Sequence, residues 1–426
     1  MADPRALHDL ADDDGDMEST TLGVDLFGSQ DVPRYPPIAR LGRYDILGRL
    51  ARGGMAEVYL ARSEDEDGTM RHVVVKRVLS EMAHDPVMLG LFVEEGKMAL
   101  RLFHPNVCHV YEVAETNGLT YMVLEWVHGT SLRELIQRAW RNGNLPIQLG
   151  VHIIARVASA LEYVHTARGI DGKPLSIIHQ DVTPHNVMIS WRGQVKLLDF
   201  GIAKTTSGMT TGTGQGKHAY MSPEQVKQQP IDARADVFAL GVCLYEVLTG
   251  KKLYQRDAIH ITMQAVVDDP VPSARSVRPE VPEALDRIVQ RALAKRPQDR
   301  FQSAGEMQQA LDEWSARNGG SIPDVRVSLT TSSYFTPAEK APLPTQAKEQ
   351  LTGTFAALTG APPTTGSAIP LPATATPTPQ PLWKPKRNPT VVERLQGMTP
   401  AMAFALTVSV GVFVLGVFTL LILTFR

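Results

Sequence analysis

Between Ile177 and Gly201 the chain reads IIHQDVTPHNVMISWRGQVKLLDFG, and this stretch constrains the fold more than any other. Asp181 and Asp199 stand near its ends, with Asn186 between them. Apolar runs flank the polar groups: Val187-Met188-Ile189 follows Asn186, and Val195-Lys196-Leu197-Leu198 leads into Asp199. The pattern predicts two short buried strands joined by a turn at Arg192-Gly193, which would hold the three polar side chains together. Oxygen-bearing groups on a rigid hairpin suit Mg²⁺ and a phosphate chain, because Mg²⁺ takes hard oxygen ligands in tight octahedral geometry. A polar loop between two core strands would show the same residues, so the other parts of such a site must come from elsewhere in the chain.

Taken in order, the chain supplies them. From Tyr44, YDILGRLARGGMAEVYLAR alternates as strand, glycine turn, strand, with Gly53 and Gly54 at the bend, where backbone N–H groups could approach phosphate oxygens. Val73-Val74-Val75 is an apolar strand that ends its run on Lys76. Asp85 to Leu102 has helical spacing and carries Glu94 and Glu95, either of which could pair that lysine; His104-Pro105-Asn106 ends the helix. Tyr121 to Val127 reads as a strand running into a turn at His128-Gly129, and Ser131 caps a helix that begins at Leu132. Helical patterns dominate from Gln148 to Trp314. A β-rich part followed by a helix-rich part implies two lobes with a cleft between them.

Composition narrows the function classes. The net charge of −2 over 426 residues gives no bulk attraction to nucleic acid. Residues 1–40 hold nine acids against three bases and read as an acidic, disordered tail. Cys108 and Cys243 lie in apolar surroundings without disulfide or metal spacing, and the histidines have no ligand spacing.

Together these motifs resemble the protein kinase family, specifically the bacterial Hanks-type, eukaryotic-like serine/threonine kinases, over Tyr44 to Trp314. The resemblance implies an α+β, two-lobed kinase domain at 41–314, with an N-lobe at about 44–126 and a C-lobe at about 127–314. It implies ATP and Mg²⁺ (or Mn²⁺), with transfer of the γ-phosphoryl group to protein serine and threonine hydroxyls. By the same resemblance Lys76 would meet the α- and β-phosphates with Glu95 as its helix partner. Leu50, Ala51, Gly53, Gly54, Val58, Val74 and Met188 would line the nucleotide site, with Leu124 as gatekeeper and Glu125 to Val127 as the hinge beside adenine. Asp181 would be the catalytic base, and Asn186 and Asp199 the metal ligands. His179, Phe200, Gly201 and Asp236 would be structural, and Glu224, in the segment YMSPEQ, would pair with Arg300. The same residues would also serve a pseudokinase, a nucleotide-binding scaffold that transfers nothing.

Three departures from the family pattern bear on activity. Ala51 and Ala56 replace two of the loop glycines. Gln180 replaces the arginine that in the family binds a phosphorylated activation loop, which predicts activity independent of such phosphorylation. Thr183 stands where a lysine is usual, and Lys217 where a threonine is usual. Because the family places those two side chains near each other, the exchange predicts that Lys217 supplies the missing charge with Thr183 as its hydrogen-bond partner.

Beyond the domain, Ser315 to Met398 is rich in Pro, Thr and Ala and reads as a flexible linker of about 84 residues spanning roughly 50 Å as a coil. Ala401 to Phe425 carries no charged residue and as a helix would span about 37 Å, against a hydrocarbon core of roughly 30 Å. Lys384, Lys386, Arg387 and Arg394 precede it and Arg426 follows it. The expectation is a single-pass helix in the inner membrane with the kinase domain in the cytoplasm and no outer domain. Protein substrates are the expected partners, with dimerisation left open and no nucleic acid.

Overall fold

The computed structural model describes residues 39–53, 55–64, 68–199, 216–341 and 380–381. The alternating segments form strands β1 (Ala39–Leu41), β2 (Tyr44–Arg52), β3 (Ala56–Glu64), β4 (Met70–Val78), β5 (Val110–Thr116) and β6 (Leu119–Glu125). They pair antiparallel in the order β1-β2-β3-β4-β6-β5, and the two-residue strand Gln380–Pro381 adds to the outer edge of β5. Ala39 and Arg40, expected to close the acidic tail, belong to β1 and pair with Ile46 and Asp45. Residues 1–38 lie outside the described residues.

The sheet's period of two separates its faces. Tyr59, Val73, Val75, Tyr121 and Val123 build a small core on one side with Tyr44 and Ile46. Register places Val58 opposite Lys76, Lys76 opposite Met122, and Val74 opposite Leu124, so these residues share the other face. Helix α1 (Pro86–Ala99), capped by the Asp85 carboxylate, which accepts from Val87 N and Met88 N, packs beside β5.

The second lobe is built on helices α2 (Leu132–Arg141), α3 (Ile147–Thr166), α4 (Pro223–Val226), α5 (Arg234–Thr249), α6 (Ile259–Asp268), α7 (Ala274–Val277), α8 (Glu283–Ala292) and α9 (Ala304–Arg317). Ser131 caps α2 as expected, its hydroxyl accepting from Glu134 N at 3.2 Å. Every residue of α5 from Ala235 to Thr249 is buried, and α3 crosses it so closely that a Cβ on Gly150 would meet Val247 Cγ1 at 2.2 Å. Among the described residues α3 is the one helix long and apolar enough to cross a membrane, yet two-thirds of its apolar window (67%) is buried in this core. The span expected at 401–425 lies outside the described residues.

The sheet expected around the opening motif is present. β8 (Val187–Ser190) pairs antiparallel with β9 (Val195–Leu197), and β7 (Gly129–Ser131) pairs with β8. Gly193 in the turn has φ 89°. A Cβ there would also strike Asp324 O at 2.0 Å.

That contact corrects the expected boundary at residue 315. Helix α9 continues to Arg317, and helix α10 (Asp324–Ser332) follows, burying Val327 and Thr331, with Phe335 buried beyond its end. Phe335 packs edge-on against Trp191 at 5.1 Å, with the Arg138 guanidinium over its other side at 4.5 Å. His128 Nε2 lies 2.8 Å from Lys340 O, and Arg138 pairs with Glu339 at 2.6 Å. Residues 318–341 are therefore an extension of the folded lobe, running from the end of α9 to the residues just after β6. The rest of the expected linker, apart from Gln380 and Pro381, lies outside the described residues.

Candidate active site

Lys76 reaches from the open face of β4 to two carboxylates. Its Nζ donates to Glu95 Oε1 at 3.2 Å and to Asp199 Oδ1 at 2.7 Å. Glu95 comes from α1 and Asp199 follows β9, so this one ammonium joins the sheet, the helix and the hairpin of the second lobe. The neighbouring Glu94 instead pairs with Lys97 at 2.8 Å, at the surface. Burial favours the neutral form of Lys76, but the two carboxylates outweigh it and hold the ammonium above its ordinary value. Burial raises the Glu95 carboxyl, with Lys76 opposing.

Below the cleft, the loop from Ile177 to Asn186 is held by its backbone. The buried Asp236 carboxylate of α5 accepts from His179 N at 2.7 Å and Gln180 N at 2.8 Å, and lies 2.8 Å from His165 Nε2. Gln180 is thereby kept at φ 60°, and Asp199 at φ 42°; both are left-handed conformations that cost energy for a residue with a Cβ. His179 Nε2 lies 2.9 Å from Leu198 O, linking this loop to the residue before Asp199. Asn186 Nδ2 donates to Asp181 O at 2.8 Å and to Asp181 Oδ2 at 3.0 Å.

Lys217 also reaches Asp181, its Nζ donating to Oδ2 at 2.8 Å. The expected bond between Lys217 and Thr183 is not formed. Thr183 is buried and its Oγ1 has no hydrogen-bond partner among the described residues; the lysine goes instead to the stronger acceptor within its reach, a carboxylate.

The residues expected to line a nucleotide fall on the cleft face. Val58 on β3, Val74 on β4 and Met188 on β8 are half-buried between fully buried neighbours, and Val127 lies in the half-buried run after β6; partly covered apolar groups of this kind wall a slot. Leu124 is buried, whereas Leu50 and Ala51 on β2 are exposed. Gly53 N donates to Ala56 O at 2.8 Å, closing the loop between β2 and β3. Gly54, Phe200 and Gly201 lie outside the described residues. At the base of the lobe Arg300 holds Glu224 by two bonds, Nη1–Oε1 at 2.7 Å and Nη2–Oε2 at 2.8 Å, as expected.

Sequence reasoning missed one pair. Lys196 Nζ donates to Glu125 Oε2 at 2.8 Å, and His109 N donates to the same oxygen at 3.2 Å, joining β9 to the last residue of β6. Its signal was the single charge inside the apolar run Val195 to Leu198.

The donor set fits a divalent metal shared with a phosphate chain. Asn186 spends its amide nitrogen on Asp181, which leaves Oδ1 as its ligand atom, and Asp199 offers a carboxylate that is 41% exposed. Two oxygen donors match Mg²⁺, which takes one or two protein groups and completes its shell with phosphate and water. Among the described residues no group of three or more His, Cys, Asp or Glu could hold a metal by itself.

Comparison with known proteins agrees with this geometry. Residues 44–314 match the family described as the protein kinase domain. The chain is 34% identical over 311 residues to tyrosine-protein kinase MasK of Myxococcus xanthus, covering 71% of this chain and 47% of that protein. It is 34% identical over 351 residues to serine/threonine-protein kinase PknH of Mycobacterium bovis, covering 82% of this chain and 54% of that protein. The chain thus spans about half the length of these curated relatives. Among solved structures, a double-mutant form of the Mycobacterium tuberculosis PknI kinase domain is similar with a TM-score of 0.50 and 27% identity, over 65% of this chain and 97% of that one.

Proposed function

Because this chain belongs to the protein kinase family, among its bacterial Hanks-type serine/threonine members, we propose that it is an active kinase moving the ATP γ-phosphoryl group to serine and threonine hydroxyls of proteins. The observation that carries the reading is the bridging of Glu95 and Asp199 by Lys76 while Asp181 and Asn186 are bonded to each other below. Such an arrangement is already assembled, whereas a scaffold that only binds nucleotide has no need of both halves at once.

In this reading Lys76 binds the α- and β-phosphates, and Glu95 keeps its ammonium from swinging out to solvent. The walls at Val58, Val74 and Met188 hold the adenine ring, with Leu124 at the back and the backbone of Glu125 to Val127 at its edge. Asp181 orients the acceptor hydroxyl and takes its proton as the oxygen attacks phosphorus and the bond to the β-phosphate breaks. Asn186 and Asp199 would hold a Mg²⁺ or Mn²⁺ ion, which would supply charge neutralisation on the phosphate oxygens. Positioning and fixed charge carry most of the effect.

The choice of serine and threonine rests on the segment from Tyr220 to Gln225 and on relatives such as PknH and PknB, although MasK bears a tyrosine-kinase name. Anchoring in the inner membrane through 401–425, kinase domain inward, rests on the uncharged run and the bases before it. Incubating the full chain with Mg²⁺, labelled ATP and a generic protein acceptor, beside Asp181→Asn, tests the reading. Label from the wild type alone, on phosphoserine and phosphothreonine, supports it. Nucleotide binding without transfer favours the pseudokinase, and label on tyrosine alone refutes the specificity.

A further inference from the structure

Among the described residues the cleft is short of positive charge. The loop from His179 to Asn186 contains no lysine or arginine, and the only cation described at its upper wall, Lys76, already answers to Glu95 and Asp199. Yet a triphosphate, and still more a phosphoryl group in flight, needs cationic donors aimed at its oxygens. Lys217 meets this need from outside the loop, with Nζ 2.8 Å from Asp181 Oδ2. Its side chain is 40% exposed while that of Asp181 is 9% exposed, so the ammonium lies on the open side of the carboxylate.

The lysine is also held firmly. It opens a tight helical turn, Lys217–Tyr220, whose last residue donates its hydroxyl to Glu246 of α5, and Glu246 accepts from Arg133 of α2 at 3.0 Å. Two residues further on, Ser222 and Gln225 cap α4 reciprocally, and Glu224 is locked to Arg300. A cation whose backbone is fixed by buried anchors on both helical walls, and whose ammonium is already bonded to Asp181, costs little reorganisation when charge develops beside it.

We propose that Lys217 is the cation of the γ-phosphate site, supplying from the end of the activation segment the charge that the catalytic loop lacks at Thr183. The inference rests on the kinase reading above and extends it.

The test uses the full chain as Lys217→Thr, Lys217→Arg, Thr183→Lys and the double variant Lys217→Thr/Thr183→Lys, each assayed for transfer and titrated with ATP and with ADP. Lys217→Thr is expected to lower kcat by about 10²–10³-fold, the cost of removing one preorganised donor, and to lose whatever preference the wild type shows for ATP over ADP. The double variant, with the lysine moved to the loop, and Lys217→Arg are each expected to recover part of both losses. Retention of wild-type turnover and nucleotide preference in Lys217→Thr overturns the proposal. So does loss of turnover with the ATP preference intact, since that pattern marks a merely structural lysine. A wild type that binds ATP but transfers nothing refutes the kinase reading instead, and the ATP-to-ADP comparison still decides the place of Lys217.

Discussion

The cleft and the base of the helical lobe each hold carboxylates against cations, but with different chemistry. At the base, Arg300 and Glu224 have side chains 0% and 7% exposed and meet through two parallel bonds, a planar fork against a carboxylate. In the cleft the cations are lysines, Lys76 and Lys217, and the carboxylate of Asp199 remains accessible. A guanidinium clamp has one geometry and resists exchange; an ammonium on a flexible stem is a point charge that a ligand can share. The first arrangement stabilises a fold. The second leaves charge for a ligand to share.

If that contrast is right, substitutions should divide between activity and stability. The largest effect is expected from Asp181→Asn, which should slow transfer by about 10²–10⁴-fold, the usual contribution of a positioned base, with an unchanged thermal midpoint. Transfer assays beside calorimetry would check this, and a large drop in midpoint would break the division. Arg300→Met should do the reverse, destabilising the domain by about 3–5 kcal/mol because Glu224 is left buried and unpaired. Denaturant titration measures that loss.

A smaller effect should appear in acid. Burial alone would raise the Glu224 carboxyl, but its bonds to Arg300 outweigh burial and hold it below the ordinary value of 4.5. A depressed carboxylate contributes stability that is present above its unfolded value and lost as pH falls through the folded one. Glu224→Gln should therefore flatten the acid limb of a midpoint-versus-pH curve below about pH 4.5 relative to wild type. The smallest effect is expected at the segment left of Lys217. Alanine or aspartate at Thr205, Thr206, Ser207, Thr210, Thr211 and Thr213, which lie outside the described residues, should leave turnover near wild type, since Gln180 cannot bind a phosphate as arginine does. Radiometric assay of these variants would show it, and a large loss would restore the phospho-switch.

Much of this was legible in the residues because local and global signals coincided. Ser131 announced its helix by capping chemistry, and Lys76, Glu95, Asp181, Asn186 and Asp199 each ended or interrupted an apolar run. Two things were not legible. The bond from Lys217 to Asp181 in place of Thr183 depends on which acceptor lies nearer in three dimensions. The segment 318–341 hid because its buried stripe, Val327, Thr331 and Phe335, recurs every four residues with a polar group in the middle and serines and threonines around it. Four-residue spacing is a helical signal, but one so diluted reads as linker.

The bond between His128 and Lys340 has a mechanical consequence. His128 stacks on Trp126 at 4.5 Å, and Trp126 meets His72 of β4 edge-on at 4.7 Å, so the anchor sits at the joint between the sheet and the helices. Force that reaches Lys340 along the chain is thus delivered to that joint before it reaches α10 and the end of α9. A chain that left the domain at Trp314 would pull on its far foundation, whereas Lys340 sits beside the pivot.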